Sequence, residues 1–407
     1  MGFIDRLRKL NGTSTIFRAN AVSQGSNRLN GSYDREKVAF DQGNGNKQNY
    51  NMEGATVKLE WDLDGATLTS LTSYDQAAGE SNGDIDGGYG AIYLPEMGPG
   101  VIPFQSQTTE ASDSDQIVQE LILGYEIGNT SFITGASYFK SHLSGTFNPY
   151  FLPKASVHHE NEAWSIFGSL ENQVTNSFSI GMGFNYMHDD KSLKSESENV
   201  SVDDSQWSTN LHAQFHLNPD LTIWGKVATG FRGPSIQGRD IAFGGNASTA
   251  DSETIKSFEL GTNWIKGNVS LDATVFTYSI DDYQLTALGG SGNNVQLVNA
   301  ESAHASGGEI ELDWKITDSL SLSASAAYID TEIDDPNLLV ASCGSQMCTP
   351  KDPSVQLSGG TFLSIDGNDF PNAPKETYSL SLNYTKPVGD LILIGNVTTR
   401  IQGETQI

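Results

Sequence analysis

The sequence predicts an all-β fold: a transmembrane, antiparallel, up-and-down β-barrel with short periplasmic turns and long extracellular loops. Three regularities carry that expectation. Apolar and polar residues alternate through strand-length segments, which gives each strand one wholly apolar face. Tight turns alternate with much longer connections, and a soluble sandwich has no reason to keep all its long loops at one end. Aromatic residues recur in the apolar phase beside the tight turns and again nine to twelve residues beyond them.

One hairpin, Ser306 to Ile333, shows all three. On its first arm Ile310, Leu312, Trp314 and Ile316 alternate with Glu309, Glu311, Asp313 and Lys315. On its second, Leu320, Leu322, Ala324, Ala326 and Tyr328 alternate with Ser319, Ser321, Ser323 and Ser325, after a turn at Thr317-Asp318. Trp314 precedes the turn and Tyr328 follows it, both in the apolar phase. Ten residues of strand, at about 3.3 Å each and a tilt of about 40°, climb roughly 25 Å, the height of the lipid-facing band of an outer-membrane barrel.

Composition agrees. The 407 residues include 42 Gly, with 37% hydrophobic and 18% charged residues, a pool suited to strands and turns. No window approaches the ~20 continuous apolar residues of a membrane helix. The mean hydropathy of −0.35 does not exclude a membrane, because only alternate residues of a barrel strand face lipid. A net charge of −27 excludes nucleic-acid binding, which needs basic surface. The acidity reads as solvated loops and lumen, with divalent-cation bridging to anionic headgroups or ligand as the sharper alternative. The opening MGFIDRLRKLNG has basic residues but no apolar run after them, so it does not read as a secretory signal.

Taken in order, residues 1–50 are a poorly patterned segment with one or two barrel strands, at Ser14–Ala19 and Ser32–Phe40. The barrel proper is expected over 51–407. Val57, Leu59, Trp61 and Leu63 form a strand that turns at Asp64-Gly65 into Ala66–Tyr74, before a long loop at 75–112. Asp115–Ile127 and Thr130–Lys140 follow, joined at Gly128-Asn129. Glu162–Asn172 turns near Thr175-Asn176 into Phe178–His188, and a second long loop is expected at 189–205. Gln206–Leu217 and Leu221–Phe231 flank Asn218-Pro219-Asp220. Ile255–Ile265 and Val269–Ile280 flank Lys266-Gly267-Asn268, and Glu376–Lys386 and Leu391–Ile401 flank Pro387-Val388-Gly389. With further loops at 232–253, 281–304 and 333–375, the chain holds about fourteen to sixteen strands.

Trp61, Trp264 and Trp314 stand just before tight turns and Trp224 just after one. Tyr74, Tyr138, Tyr186, Phe231, Tyr278 and Tyr328 stand at the far ends of strands. Amphipathic rings favour the bilayer interface, so these ten are expected to form two girdles against outer-membrane lipid. The other reading, core aromatics of a soluble sheet, does not require this spacing. Val269–Val275 and Phe276–Ile280 fall on opposite phases, which predicts a bulge or a departure from the lipid zone.

No catalytic constellation is present: there is no G-x-S-x-G, H-E-x-x-H or G-x-x-x-x-G-K, and no cofactor is implied. Cys343 and Cys348 lie in a polar loop without further Cys or His nearby, so a short-loop disulfide is favoured over a metal site. Asp84-Ile85-Asp86-Gly87 resembles part of a calcium loop but lacks the remaining ligands, and reads as turn chemistry. His158-His159-Glu160 falls in an expected extracellular loop, where capture of a metal complex competes with a solvated loop. Loop aromatics at Tyr89, Tyr93, Phe104, Tyr150, Phe151, Phe243 and Phe370, with His158 and His159, are the candidates for stacking on a ligand ring. Arg232, Pro234 and Ser235 read as shaping a loop base. Lys58, Glu60, Glu259, Glu309, Glu311 and Asp313 are expected to line the lumen.

Several segments resemble the barrel of TonB-dependent outer-membrane receptors. They are WGKVATGFRGPSI (Trp224–Ile236), DSETIKSFELGTNW (Asp251–Trp264), LDATVFTYSIDDYQL (Leu271–Leu285) and NAESAHASGGEIELDW (Asn299–Trp314), matching in order and spacing. Leu59–Asp75 and Phe167–Ser192 resemble earlier strands of the same barrel. The resemblance covers roughly residues 50–400 and implies a monomeric, plug-filled 22-stranded barrel. It also implies a location in the outer membrane of a Gram-negative bacterium. A ferric siderophore or similar scarce ligand would bind at the outer face, and a TonB complex pulling on the plug would drive uptake. Neither a plug, nor a TonB box, nor closing strands have a counterpart in the sequence, so an internal piece of such a receptor is expected. A passive porin-like channel or a surface adhesin barrel is the alternative, and a soluble secreted sheet protein ranks last.

Overall fold

A computed structural model describes residues 47–83, 107–149, 153–289, 294–342 and 352–405. The strands are β1 (Lys47–Asp62), β2 (Ala66–Gly83), β3 (Gln107–Ile127), β4 (Thr130–Pro149), β5 (Ala155–Thr175), β6 (Phe178–Ser195) and β7 (Asn199–Asn218). Next come β8 (Leu221–Arg232), short β9 (Ser235–Gln237) and β10 (Ser248–Ala250), β11 (Glu253–Lys266), β12 (Val269–Gly289), β13 (Asn294–Lys315) and β14 (Leu320–Asp334). The last are β15 (Leu339–Ala341), β16 (Ser354–Leu357), β17 (Gly360–Ser364), β18 (Glu376–Val388) and β19 (Leu391–Gln402). Leaving aside β9, β10 and β15–β17, they form one 14-stranded antiparallel sheet in which every long strand pairs with the next in sequence.

The tight turns follow from local chemistry. At Asp64-Gly65 both residues have positive φ (54° and 96°), the mirror-image turn whose twist matches that of the flanking strands. Gly128, Gly267 and Gly389 supply the same left-handed geometry at the other Gly-containing turns.

Directly paired residues lie on the same face, so the register separates two surfaces. One carries Trp61, Leu68, Leu123, Ile166, Phe184, Leu211 and Val227. It continues through Phe258, Leu260, Leu271, Leu312, Ala324 and Leu380. Its large side chains stay exposed: Trp61 is 44%, Phe184 46% and Leu260 45% accessible. The other face carries Lys58, Glu60, Lys226, Glu259, Asp272, Glu309, Glu311 and Asp313, the polar phase expected to line a lumen. On β6 the apolar run Phe178, Ile180, Met182, Phe184, Tyr186 spans about 26 Å along the strand, with an aromatic ring at each end.

Two aromatics change face. Of the ten expected in girdles, Trp61, Tyr74, Tyr138, Tyr186, Phe231, Trp264, Trp314 and Tyr328 stand on the apolar face. Trp224 pairs with Gly261 and Tyr278 with Ser257 and Ala305, all on the polar face. Trp224 is out of phase with its strand neighbours Ile223 and Val227, and Tyr278 is out of phase with Val275. The bulge predicted in β12 is absent: from Val269 to Asp281 its register with β11 and β13 is continuous. Phe276, Tyr278 and Ile280 therefore point inward.

The loops are shorter than expected because the strands run on past the apolar band. The segment 189–205 is no loop: β6 reaches Ser195 and β7 begins at Asn199. Residues 75–83, 107–112, 281–289 and 294–304 are likewise strand, and β1 already begins at Lys47, across the expected boundary at residue 50. The extensions 75–83 and 107–112 carry no large apolar residue, so no alternation announces them, whereas Tyr283, Leu285, Ala300 and Ala303 in the later two pack into a buried cluster on the polar face. The expected strands at 14–19 and 32–40 lie outside the described residues.

Candidate functional site

The connections at the long-loop end fold back onto the polar face. The first, residues 233–252 between β8 and β11, contains β9, a 3-10 helix (Arg239–Phe243) and β10. Its Ile241 is buried against Val157 of β5 and Leu193 of β6, both polar-face positions, with Phe147, Ile236 and Ala247 around them. This segment is a strap across the mouth, and hydrogen bonds fix it at several points.

Gln284 of β12, buried, ties down both ends of the strap. Its amide donates to the carbonyls of Gly233 and Asp251, each at 2.8 Å, and its carbonyl accepts from the Ser235 hydroxyl at 2.9 Å. The buried Asp240 accepts the Val295 N–H at 2.8 Å, and Ser248 accepts that of Leu297 at 3.0 Å. On the other side Glu198, in the β6–β7 turn, accepts the Ala247 N–H at 2.6 Å. The strap thus braces the β6–β7 tip against β13.

Beneath it sits an ionic knot. Lys191 Nζ donates to Asp189 Oδ2 at 2.6 Å and to the Pro234 carbonyl at 2.8 Å. The second Asp189 oxygen is buried without a hydrogen-bond partner. His159 lies alongside, half-buried. Its burial and the Lys191 charge hold the imidazole below its usual pKa, while a hydrogen bond with the Ile236 backbone acts in the opposite direction.

A second strap joins β14 to β18 and carries the small sheet of β15, β17 and β16. Asp335 anchors its start, accepting the N–H groups of Glu301, Asn337 and Leu338 at 2.9 to 3.0 Å. Phe370 is buried among Ile280, Ala300, Ala303, Ala305 and Ile333. Its ring stacks on Tyr283 at 4.8 Å, and its N–H donates to Thr331 Oγ1 at 2.9 Å.

The sequence candidates fare unequally. His158 and His159 are in strand β5, not in a loop, because β5 begins at Ala155. Alternation then sends them to opposite faces: His158 is exposed on the outward side, bonded to Ser144, and His159 lies under the first strap. Phe370 is core, not an exposed stacking platform. Phe243 is half-buried, with the Arg239 guanidinium 4.8 Å from its ring centre. Tyr89, Tyr93, Phe104, Tyr150, Phe151, Cys343 and Cys348 lie outside the described residues. Pro234 and Ser235 do form the base of a loop. Sequence reasoning missed Asp189, Lys191, Gln284, Thr331 and Asp335, all in segments read as loop or strand end. The one available signal was the alternation of Asp189 and Lys191 with Asp190.

Below the straps the polar face stays hydrogen-bonding in character. Lys226 pairs with Glu259 at 3.1 Å, Asp272 accepts from Asn263, and Ser323 donates to Asp313 at 2.5 Å. Among the described residues no group of three His, Cys, Asp or Glu is placed to hold a metal ion. A cleft of about 590 Å³ opens at the short-turn end, beside Trp314, Lys315, Asp318 and Thr385, away from both straps. The arrangement suits non-covalent binding at a braced mouth.

Comparison with known proteins gives concordant matches. The family profile described as TonB dependent receptor-like, beta-barrel, matches residues 3–406. The Pesticin receptor of Yersinia pestis is 26% identical over 186 residues, 44% of this chain and 27% of the receptor. The probable TonB-dependent siderophore receptor PiuA of Acinetobacter baumannii is 27% identical over 141 residues, 34% of this chain and 16% of PiuA. Among solved structures, the ferric yersiniabactin uptake receptor FyuA from Yersinia pestis superposes with a TM-score of 0.64 at 17% identity. That match covers 88% of this chain and 50% of FyuA, so the chain spans about half of that receptor.

Proposed function

The chain belongs to the family of TonB-dependent receptor-like β-barrels, and from that premise we propose that it forms the wall of a receptor importing a scarce ligand such as a ferric siderophore. The family is one of receptors and transporters rather than enzymes. In this reading the apolar face meets the lipid of a Gram-negative outer membrane and the polar face encloses a plug coupled to a TonB complex. The unit is a monomer, and ligand is captured at the strapped mouth.

The observation that carries the reading is the pair of straps. Preorganised loops lower the ordering cost of binding, and here two connections are pinned onto the polar face by buried Gln284, Asp240, Asp335 and Phe370. Connections that fold across an opening narrow it, which suits capture of a bound ligand more than free diffusion. The relatives support a siderophore: the curated names include a siderophore receptor, and a structural neighbour is a ferric yersiniabactin uptake receptor. Ligand contacts would come from Tyr89, Tyr93, Phe104, Tyr150 and Phe151 together with strap residues such as Phe243.

The test is uptake. Cells stripped of their own siderophore receptors and expressing the whole receptor whose wall this chain forms should accumulate labelled ferric siderophore only when TonB is intact. Equal uptake without TonB would indicate a passive channel. No uptake of any ferric siderophore would remove the transport reading and leave the family assignment standing.

A further inference from the structure

The outward face of β4–β7 carries a feature that lipid anchoring alone does not require. Tyr138 pairs directly with Trp164, and Tyr186 with Trp207. Ring centres are 5.7 Å apart for Trp164 and Tyr186, 4.8 Å for Tyr186 and Trp207, and 6.1 Å for Phe184 and Trp207. The rings of Trp164, Tyr186, Trp207 and Phe184 form one continuous shelf across β5 to β7, with Tyr138 paired beside it on β4, and Trp164 and Trp207 are 41% and 57% exposed. Elsewhere on the outward face at this end, the described girdle rings stand alone. Tyr74 has Ala55 and Ile117 as direct neighbours, and Tyr328 has Gly308 and Glu376.

Immediately beyond the shelf, on the same face, the chemistry turns to hydrogen-bond acceptors and donors. His188 bonds Ser205 at 2.8 Å, and the next row across the strands reads Lys140, Glu162, Asp190, Asp203. Lys140 is no free phosphate clamp, because its ammonium lies between Glu160 at 2.7 Å and Glu162 at 3.1 Å. The pattern is an aromatic platform of rings tilted 47° to 56° to one another, edged by carboxylates and hydroxyls. A pyranose ring fits that pattern: its C–H face is apolar and weakly positive and packs on a π face, while its rim hydroxyls donate to carboxylates.

We propose that the outward shelf of Tyr138, Trp164, Phe184, Tyr186 and Trp207 binds the saccharide headgroup of a glycolipid in the outer leaflet, with Glu162, Asp190 and Asp203 receiving its hydroxyls. The placement argues for a lipid-borne sugar over a free glycan. The shelf continues the apolar band downward into Ile166, Leu170, Met182 and Leu211, where acyl chains would lie, and the polar row sits at headgroup level. This inference rests on the membrane reading of the apolar face.

The test mixes the full chain in detergent with equal amounts of a glucosamine-headed glycolipid and phosphatidylethanolamine, and weighs the bound adducts by native mass spectrometry. The glycolipid should be preferred by about tenfold. Trp164→Leu combined with Trp207→Leu keeps the surface apolar and should abolish the preference, while Trp164→Phe should retain most of it. Tyr328→Leu with Trp314→Leu, on another sector, should leave it unchanged. Equal binding of the two lipids by the unmodified chain, or an undiminished preference in the double Leu variant, overturns the inference and leaves the membrane reading intact. A chain that takes up neither lipid overturns both. Preference for the soluble headgroup sugar as strong as for the glycolipid reassigns the shelf to a free glycan and overturns the lipid assignment.

Discussion

Trp224 lies across Gly261 on the polar face, the two facing each other between β8 and β11. A Cβ built on Gly261 would overlap the indole. Gly261→Ala should therefore displace Trp224 and destabilise the sheet by about 1–3 kcal/mol, with Trp224→Ala restoring most of the loss. Denaturant titration of the single and double variants measures this; additive losses would show that the two residues do not meet.

The same relationship makes Trp224 the odd tryptophan. In bilayers containing brominated acyl chains, single-tryptophan variants keeping Trp61, Trp264 or Trp314 should be strongly quenched, because these stand on the apolar face. A variant keeping Trp224 alone should be nearly unaffected. Quenching of Trp224 to the same degree would return it to the lipid side.

The Asp189–Lys191 pair holds the first strap. Its side chains are only 8% and 18% exposed, so removing Lys191 leaves a buried carboxylate without its counter-charge, a loss of about 3–5 kcal/mol. Lys191→Met should raise amide exchange across 233–251, and Asp189→Asn added to it should recover part of the protection. Unchanged exchange in Lys191→Met would separate the strap from the pair.

The strap should also loosen in acid. The folded-state pKa of His159 lies below its unfolded value of about 6.5, so below that pH the unfolded chain binds the proton more readily. The His159 contribution is complete above about 6.5 and declines as pH falls toward the lowered folded value. Proteolysis of the strap should accelerate over that window, and His159→Gln should flatten the profile. A profile identical in the variant would assign the pH response elsewhere.

The second strap depends on one ring. Phe370 is buried and stacked on Tyr283, so Phe370→Ala should lose about 3–5 kcal/mol and free residues 335–342 and 352–375 to exchange. Phe370→Leu should lose less. A null effect on exchange would contradict its role as the anchor.

How much of this was legible depends on where a residue sits relative to the apolar band. Within the band, alternation set both strand and face correctly for Trp314, Leu312 and Ile310, and Asp64-Gly65 or Gly128-Asn129 announced the turns. Above it, signals fade. Asp189 and Lys191 are strand residues covered by the first strap, and only their alternation with the exposed Asp190 separates them from a loop. For Trp224 and Tyr278 spacing from a turn and phase along the strand disagree, and phase, set by Ile223 and Val227 beside Trp224, gives the face. Phe370 and His159 carry no local pattern that tells a buried position from a loop. Their burial comes from contacts with Tyr283 and Ile236, set by folding of the straps rather than by local sequence.

The central claim is that adjacent residues of one strand see lipid and lumen in turn. Spin labels placed singly at Ser257, Phe258, Glu259, Leu260 and Thr262 of β11 test it in reconstituted bilayers. Collisions with lipid-soluble oxygen should peak at 258, 260 and 262, and collisions with a water-soluble nickel complex should peak at 257 and 259. Equal exposure of all five to the nickel complex, with no oxygen peak, would contradict a membrane-facing wall.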